Sequence, residues 1–130
     1  MQESGKFSIK KRVKSFSFAI NGLKYLIRNE HNARIHLLAT ICVIVLGVLL
    51  GLKPAEWISI VLVIGLVLIS ELFNSAIEKL ADMIDPTWNT KIGLIKDYCA
   101  AAVLLSSIIS VIVGGFIFIP KLVVLVKNIY

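Results

Sequence analysis

Three stretches of this chain carry no Asp, Glu, Lys or Arg: Ile35–Leu52 with 18 residues, Trp57–Ser70 with 14, and Tyr98–Pro120 with 23. Nothing else in the sequence constrains the fold as much. A helix needs about 20 apolar residues to cross the hydrocarbon core of a bilayer, with a range of about 17–25. The first and third stretches meet that requirement as they stand. In water, a 130-residue chain leaves much of its surface wet and has no interior large enough for so much apolar material. Hydrophobic residues are 58% of the sequence and charged residues 17%, against roughly 45–50% and 25% in soluble domains. A disordered chain, a coiled coil and a nucleic-acid module are excluded. The chain reads as one all-α, integral membrane domain spanning residues 1–130.

The second stretch is too short to cross unless its helix continues past Glu71. From Glu71 to Ile84 there is no Gly or Pro, and Pro86 is the first stop. Lys53-Pro54 marks the turn before it, and Trp57 suits an interfacial anchor. A helix over 55–84 would be about 45 Å long, placing Glu71 about 22 Å beyond Glu56. That depth lies within a hydrocarbon core about 30 Å thick. At about 100° per residue, Asn74, Ser75, Glu78 and Asp82 all fall within roughly 60° of Glu71, and only Lys79 stands off this face. Each ionisable group near the bilayer centre costs about 2.5–3.5 kcal/mol on insertion scales, and Glu71 bears most of it. Packing alone would account for Glu71 and Asn74, but it does not need three acids in line.

The remaining elements follow from periodicity and charge. Val13, Phe16, Ile20, Leu23 and Ile27 recur at alternating spacings of three and four, with Lys14, Asn21, Lys24 and Arg28 on other faces. This predicts an amphipathic surface helix over 7–29, lying in the membrane interface, followed by membrane helices over 33–52, 55–84 and 96–119. Eight basic residues precede the first span and three more (Lys79, Lys91, Lys96) lie between the second and third, whereas the opposite side carries Lys53, Lys121 and Lys127. The asymmetry places the N-terminus in the cytoplasm and the C-terminus outside, with no cleaved signal peptide. Ala102, Ser106, Ser110 and Gly114 recur every fourth residue and read as a helix-packing face. Cys42 and Cys99 read as small buried side chains without ligand spacing.

Two further polar groups arrive at the cytoplasmic side: Glu30 just ahead of the first span, and Lys96-Asp97 at the entry to the third. Carboxylates with a lysine suit a Mg²⁺–nucleotide site, since acids hold Mg²⁺ through hard oxygens and lysine holds phosphate as a point charge. A proton-coupled transporter would use the same residue types, and composition does not choose between them. His31 and His36 are five apart, off a common helical face, and read as interfacial hydrogen-bonding groups. No soluble nucleotide-binding or zinc motif occurs.

The string Glu71-Leu72-Phe73-Asn74-Ser75-Ala76-Ile77-Glu78, followed by Asp82, Lys96-Asp97 and Ala100-Ala101-Ala102, resembles the small bacterial diacylglycerol kinase and undecaprenol kinase family. Gly22-Leu23 and Asn29-Glu30 fit as well, so the likeness covers roughly residues 10–120. The resemblance implies an ATP-dependent lipid kinase of the inner membrane, a homotrimer whose active sites lie between protomers at the cytoplasmic face. By position, Glu71 corresponds to the general base that takes the lipid hydroxyl proton. Glu30 and Glu78 correspond to Mg²⁺ ligands, and Asn74, Lys96 and Asp97 to groups that place ATP. Lys11 and Phe18 fall where the family contacts ATP from its surface helix. Ser75 and Asp82 share the polar face without an assigned role. The segments Arg28–Leu38 and Gly115–Leu122 resemble the undecaprenol kinase branch, and the diacylglycerol branch tends to carry an acid where His36 stands. Undecaprenol is therefore the expected substrate and diacylglycerol the alternative. The connection 85–93 departs most from the family pattern. Outside the kinases, the rival is a small oligomeric transporter or proton channel with Glu71 as carrier. It would need neither the acids at the helix ends nor Lys96, and a purely structural subunit would explain none of the acids.

Overall fold

The computed structural model describes residues 8–87 and 89–129, and the side chains of Lys10 and Lys11 also lie outside the described residues. Four helices follow one another: α1 (Ile9–Asn29), α2 (His31–Leu49), α3 (Pro54–Ile84) and α4 (Thr90–Lys127). The described chain is all-helical, and α2, α3 and α4 are each long and apolar enough to cross a membrane. The large apolar side chains point mostly outward, with Leu49, Val111 and Phe116 each more than 70% exposed. Hydrocarbon, not water, matches such a surface. Val13, Phe16, Ile20, Leu23 and Ile27 on α1 are also uncovered, while Leu26 is buried.

Local chemistry sets the helix ends. A single extended residue, Glu30, separates α1 from α2. The α2 helix ends at Leu49, short of the 52 expected from the run of apolar residues, because Gly51 turns the chain with a φ of 59°. Pro54 then opens α3, where its missing N–H costs nothing. The Glu56 carboxylate accepts the Lys53 N–H at 2.6 Å and pairs with Lys121 of α4 at 3.0 Å. At the far end of α3, Asp85 accepts the Thr87 N–H at 2.9 Å, and the Asn89 side chain accepts the Lys91 N–H at 3.0 Å to cap α4.

The 38-residue α4 overruns the 96–119 range at both ends. Counting uncharged residues locates a crossing rather than a helix, and nothing obliges a helix to stop where charge begins. At about 57 Å it is nearly twice the hydrocarbon thickness. Pro120 lies inside it, exposed, and the helix continues to Lys127. A proline removes one backbone donor from a helix that otherwise keeps its ladder, and helices built for membranes tolerate this.

Contacts at matched depths show α3 running antiparallel to both neighbours. Phe118 packs near Ile60, the Ser110 hydroxyl donates to the Val63 carbonyl at 3.3 Å, and Lys96 pairs with Asp82. On the other side Gly47 faces Trp57 and Glu30 pairs with Lys79. Of the small-residue stripe of α4, Ser106 is buried and Ser110 meets α3, whereas Ala102 is exposed. Gly47 has a steric reason: a Cβ there would stand 2.8 Å from the Trp57 ring. Cys42 and Cys99 are free thiols, and Cys42 is exposed rather than buried, because it falls on the outer face of α2.

Candidate active site

The helical arithmetic of α3 has a direct structural outcome. Glu71, Asn74 and Ser75 turn inward together, with exposures of 2%, 6% and 5%. Three of their oxygens, Glu71 Oε2, Asn74 Oδ1 and Ser75 Oγ, are fully enclosed and have no hydrogen-bond partner. Buried polar atoms are nearly always paired, because leaving one unpaired costs about 1–3 kcal/mol. Among the described residues, all the buried side-chain oxygens left without a partner lie on this short stretch of one helix.

Around this group the structure assembles the other acids. Glu78 stands two turns along α3, half-buried. Glu30 comes in from the α1–α2 junction, and both it and Glu78 lie close enough for their charge to act on Glu71. His36 of α2 does so as well, and it lines an apolar cavity of about 270 Å3 between α2, α3 and α4. Beyond the buried group, exposed Asp82 pairs with Lys96 across the α3–α4 connection. Asp97 is exposed near the start of α4. Phe18 is exposed on α1, with the Lys14 ammonium 5.8 Å from its ring centroid. Neither is buried with the Glu71 group, and the Lys11 side chain lies outside the described residues.

Two members of the site escape a reading of the sequence by local pattern. His36 looks isolated along the chain, and only the antiparallel α2–α3 pairing brings it to Glu71. Lys79 is off the polar face of α3, yet its length carries its ammonium to Glu30. It also lies 5.3 Å from the centroid of the Tyr25 ring.

Glu71, Glu78, Glu30, Asp82 and Asp97 thus gather toward one end of the bundle, with the Lys96–Asp82 pair beyond the buried group. The family model for prokaryotic diacylglycerol kinase matches this chain over residues 17–118, which takes in α2 and α3 whole, most of α1 and α4, and all of the Glu71 cluster. The chain belongs to that family. A Bacillus subtilis protein named undecaprenol kinase is 38% identical over 109 residues, covering 84% of this chain and 89% of the relative. A Synechocystis protein named diacylglycerol kinase is 36% identical over 109 residues, covering 83% of this chain but 62% of the relative. As a member of a lipid kinase family, the chain is an enzyme with ATP as its phosphate donor.

Proposed function

We propose that this lipid kinase transfers the γ-phosphate of ATP to the hydroxyl of undecaprenol, with Glu71 as the general base. One observation carries the reading: a carboxylate held 2% exposed, with an unpartnered oxygen, within electrostatic range of Glu30, Glu78 and His36. Placed there, Glu71 accepts the hydroxyl proton as the lipid oxygen attacks the γ-phosphorus. The bond from that phosphorus to the β-phosphate oxygen breaks, ADP leaves, and the proton passes from Glu71 to water. Catalysis of this kind is mostly positioning and charge stabilisation. Asn74, Lys96 and Asp97 orient the nucleotide, aided by Lys11 and Phe18 of α1.

The residues present fit Mg²⁺ entering with the nucleotide. Among the described residues, no group of three or more His, Cys, Asp or Glu is arranged to hold a metal by itself. Mg²⁺ characteristically takes one or two carboxylates and completes its shell with water and substrate phosphates. Glu30 and Glu78 supply the carboxylates. When bound, the ion neutralises charge on the phosphate oxygens.

Undecaprenol is preferred to diacylglycerol on the Arg28–Leu38 and Gly115–Leu122 segments and on the fuller coverage of the Bacillus relative. The apolar cavity, with His36 in its wall, suits the start of an isoprenoid chain. In this reading the protein is a homotrimer of the bacterial inner membrane with sites shared between protomers. Its N-terminus and active site are cytoplasmic, and α1 lies in the interface with its uncovered apolar stripe in lipid. The test is phosphate transfer from labelled ATP to a panel of lipid alcohols by purified protein in detergent. Undecaprenol should be the best acceptor. Preference for diacylglycerol would reassign the substrate, and transfer to no lipid, with a proton flux that depends on Glu71, would favour a transporter.

A further inference from the structure

Glu30 is the N-cap residue of α2, yet its side chain makes no capping hydrogen bond to its own helix. It turns instead to α3 and forms an ion pair with Lys79, the carboxylate side chain 23% and the lysine side chain 43% exposed. The pair borders a cavity of about 240 Å3 between α1 and α3, lined also by Tyr25, Leu26, Ala76 and Ser75. Ser75 is 5% exposed, and its Oγ has no partner. The lysine therefore occupies one carboxylate of the catalytic cluster at a place where a buried oxygen still waits for a ligand.

An ammonium and a divalent cation compete for one carboxylate. We propose that Lys79 is the resident counter-ion of Glu30, weakening divalent-cation binding at the nucleotide-free site and yielding the carboxylate when the metal arrives with nucleotide. This rests on the reading of Glu30 as a metal ligand. Displacement needs a second place for the lysine charge, and the Tyr25 ring provides one, with the ammonium already 5.3 Å from its centroid. A metal without phosphates meets a neutralised carboxylate, whereas a metal carrying a triphosphate brings anionic oxygens that the released ammonium also attracts. Lys79 thus makes metal entry depend on nucleotide.

The experiment is Mn²⁺ binding to the purified full chain without nucleotide, followed by the electron paramagnetic resonance signal of the free ion. Mn²⁺ takes the same oxygen ligands as Mg²⁺. Lys79→Met should bind Mn²⁺ roughly twofold to fivefold more tightly than wild type, the range for loss of one half-exposed ion pair. Lys79→Arg should restore wild-type affinity, and the gain should vanish in a Glu30→Gln background. Unchanged or weaker Mn²⁺ binding in Lys79→Met overturns the inference. Glu30→Gln separates the two levels of the argument. If it loses Mn²⁺ while Lys79→Met matches wild type, the counter-ion role alone fails. If it binds Mn²⁺ as wild type does, Glu30 is no ligand and both fail.

Discussion

At the Trp57 end of the bundle, Leu52, Ile60 and Phe118 form a buried apolar cluster, Gly47 admits the indole ring, and Glu56 satisfies both Lys53 and Lys121. At the Glu71 end, three buried oxygens on α3 have no partner, and the ionisable groups around them, Glu30, His36 and Glu78, come from the α1–α2 junction, α2 and α3. The same helices build both ends, so the difference is not one of propensity. The Trp57 end is closed by its own contacts and contributes stability. The Glu71 end is left incomplete by about 1–3 kcal/mol for each orphaned group, and in the proposed function the substrates complete it. Stability and chemistry are therefore separable along α3, and substitutions at the two ends should have opposite signatures.

The largest contrast is expected at Glu78. Glu78→Gln should abolish phosphate transfer while leaving the thermal unfolding midpoint in detergent near wild type. Full activity would remove this acid from the site. At the other end, Gly47→Ala pushes a methyl group against the Trp57 ring and should destabilise by about 1–3 kcal/mol, the usual cost of overpacking. The folded fraction should keep its turnover rate, measured with activity normalised to folded protein. A rise in stability would show that the indole simply moves away.

Ser75→Ala sharpens the comparison in the reverse direction. Removing an unpartnered buried hydroxyl should leave the apo protein as stable or slightly more stable, by up to about 1 kcal/mol, while nucleotide binding weakens. Clear destabilisation would mean that the hydroxyl has a partner within the folded chain. The smallest effect is expected at the α3–α4 turn. Hydrogen bonds from Thr87 and Asn89 hold the Asp85 carboxyl below its ordinary value. A depressed folded value contributes stability above the unfolded value, about 3.9, and loses it as pH falls through the folded one. Amide exchange at Thr87 should stay slow at mild acidity and accelerate only below that range.

Much of this architecture was legible in the residues. Uncharged runs locate three membrane helices, and the 3.6-residue repeat alone brings Glu71, Asn74 and Ser75 to one face. What local pattern misses has physical causes. Charge marks where a crossing ends, not where a helix does, so α4 begins at Thr90 and passes Pro120. His36 comes within electrostatic range of Glu71 only through the register of α2 against α3, which no window of sequence contains. Lys79 misleads because angular position describes Cβ atoms, while a four-carbon stem lets the ammonium reach a different face. Cys42 is exposed because apolar surroundings along the chain do not imply burial within the protein when the helix is apolar all round.

Glu71→Gln, assayed on one preparation for both nucleotide binding and lipid phosphorylation, addresses the central claim most directly. The side chain keeps its shape and loses its basicity. Nucleotide affinity should stay close to wild type, because Glu30, Glu78 and Lys96 remain, while transfer should fall by about 10²–10⁴-fold, as for loss of a general base. Transfer at the wild-type rate by Glu71→Gln would contradict the account.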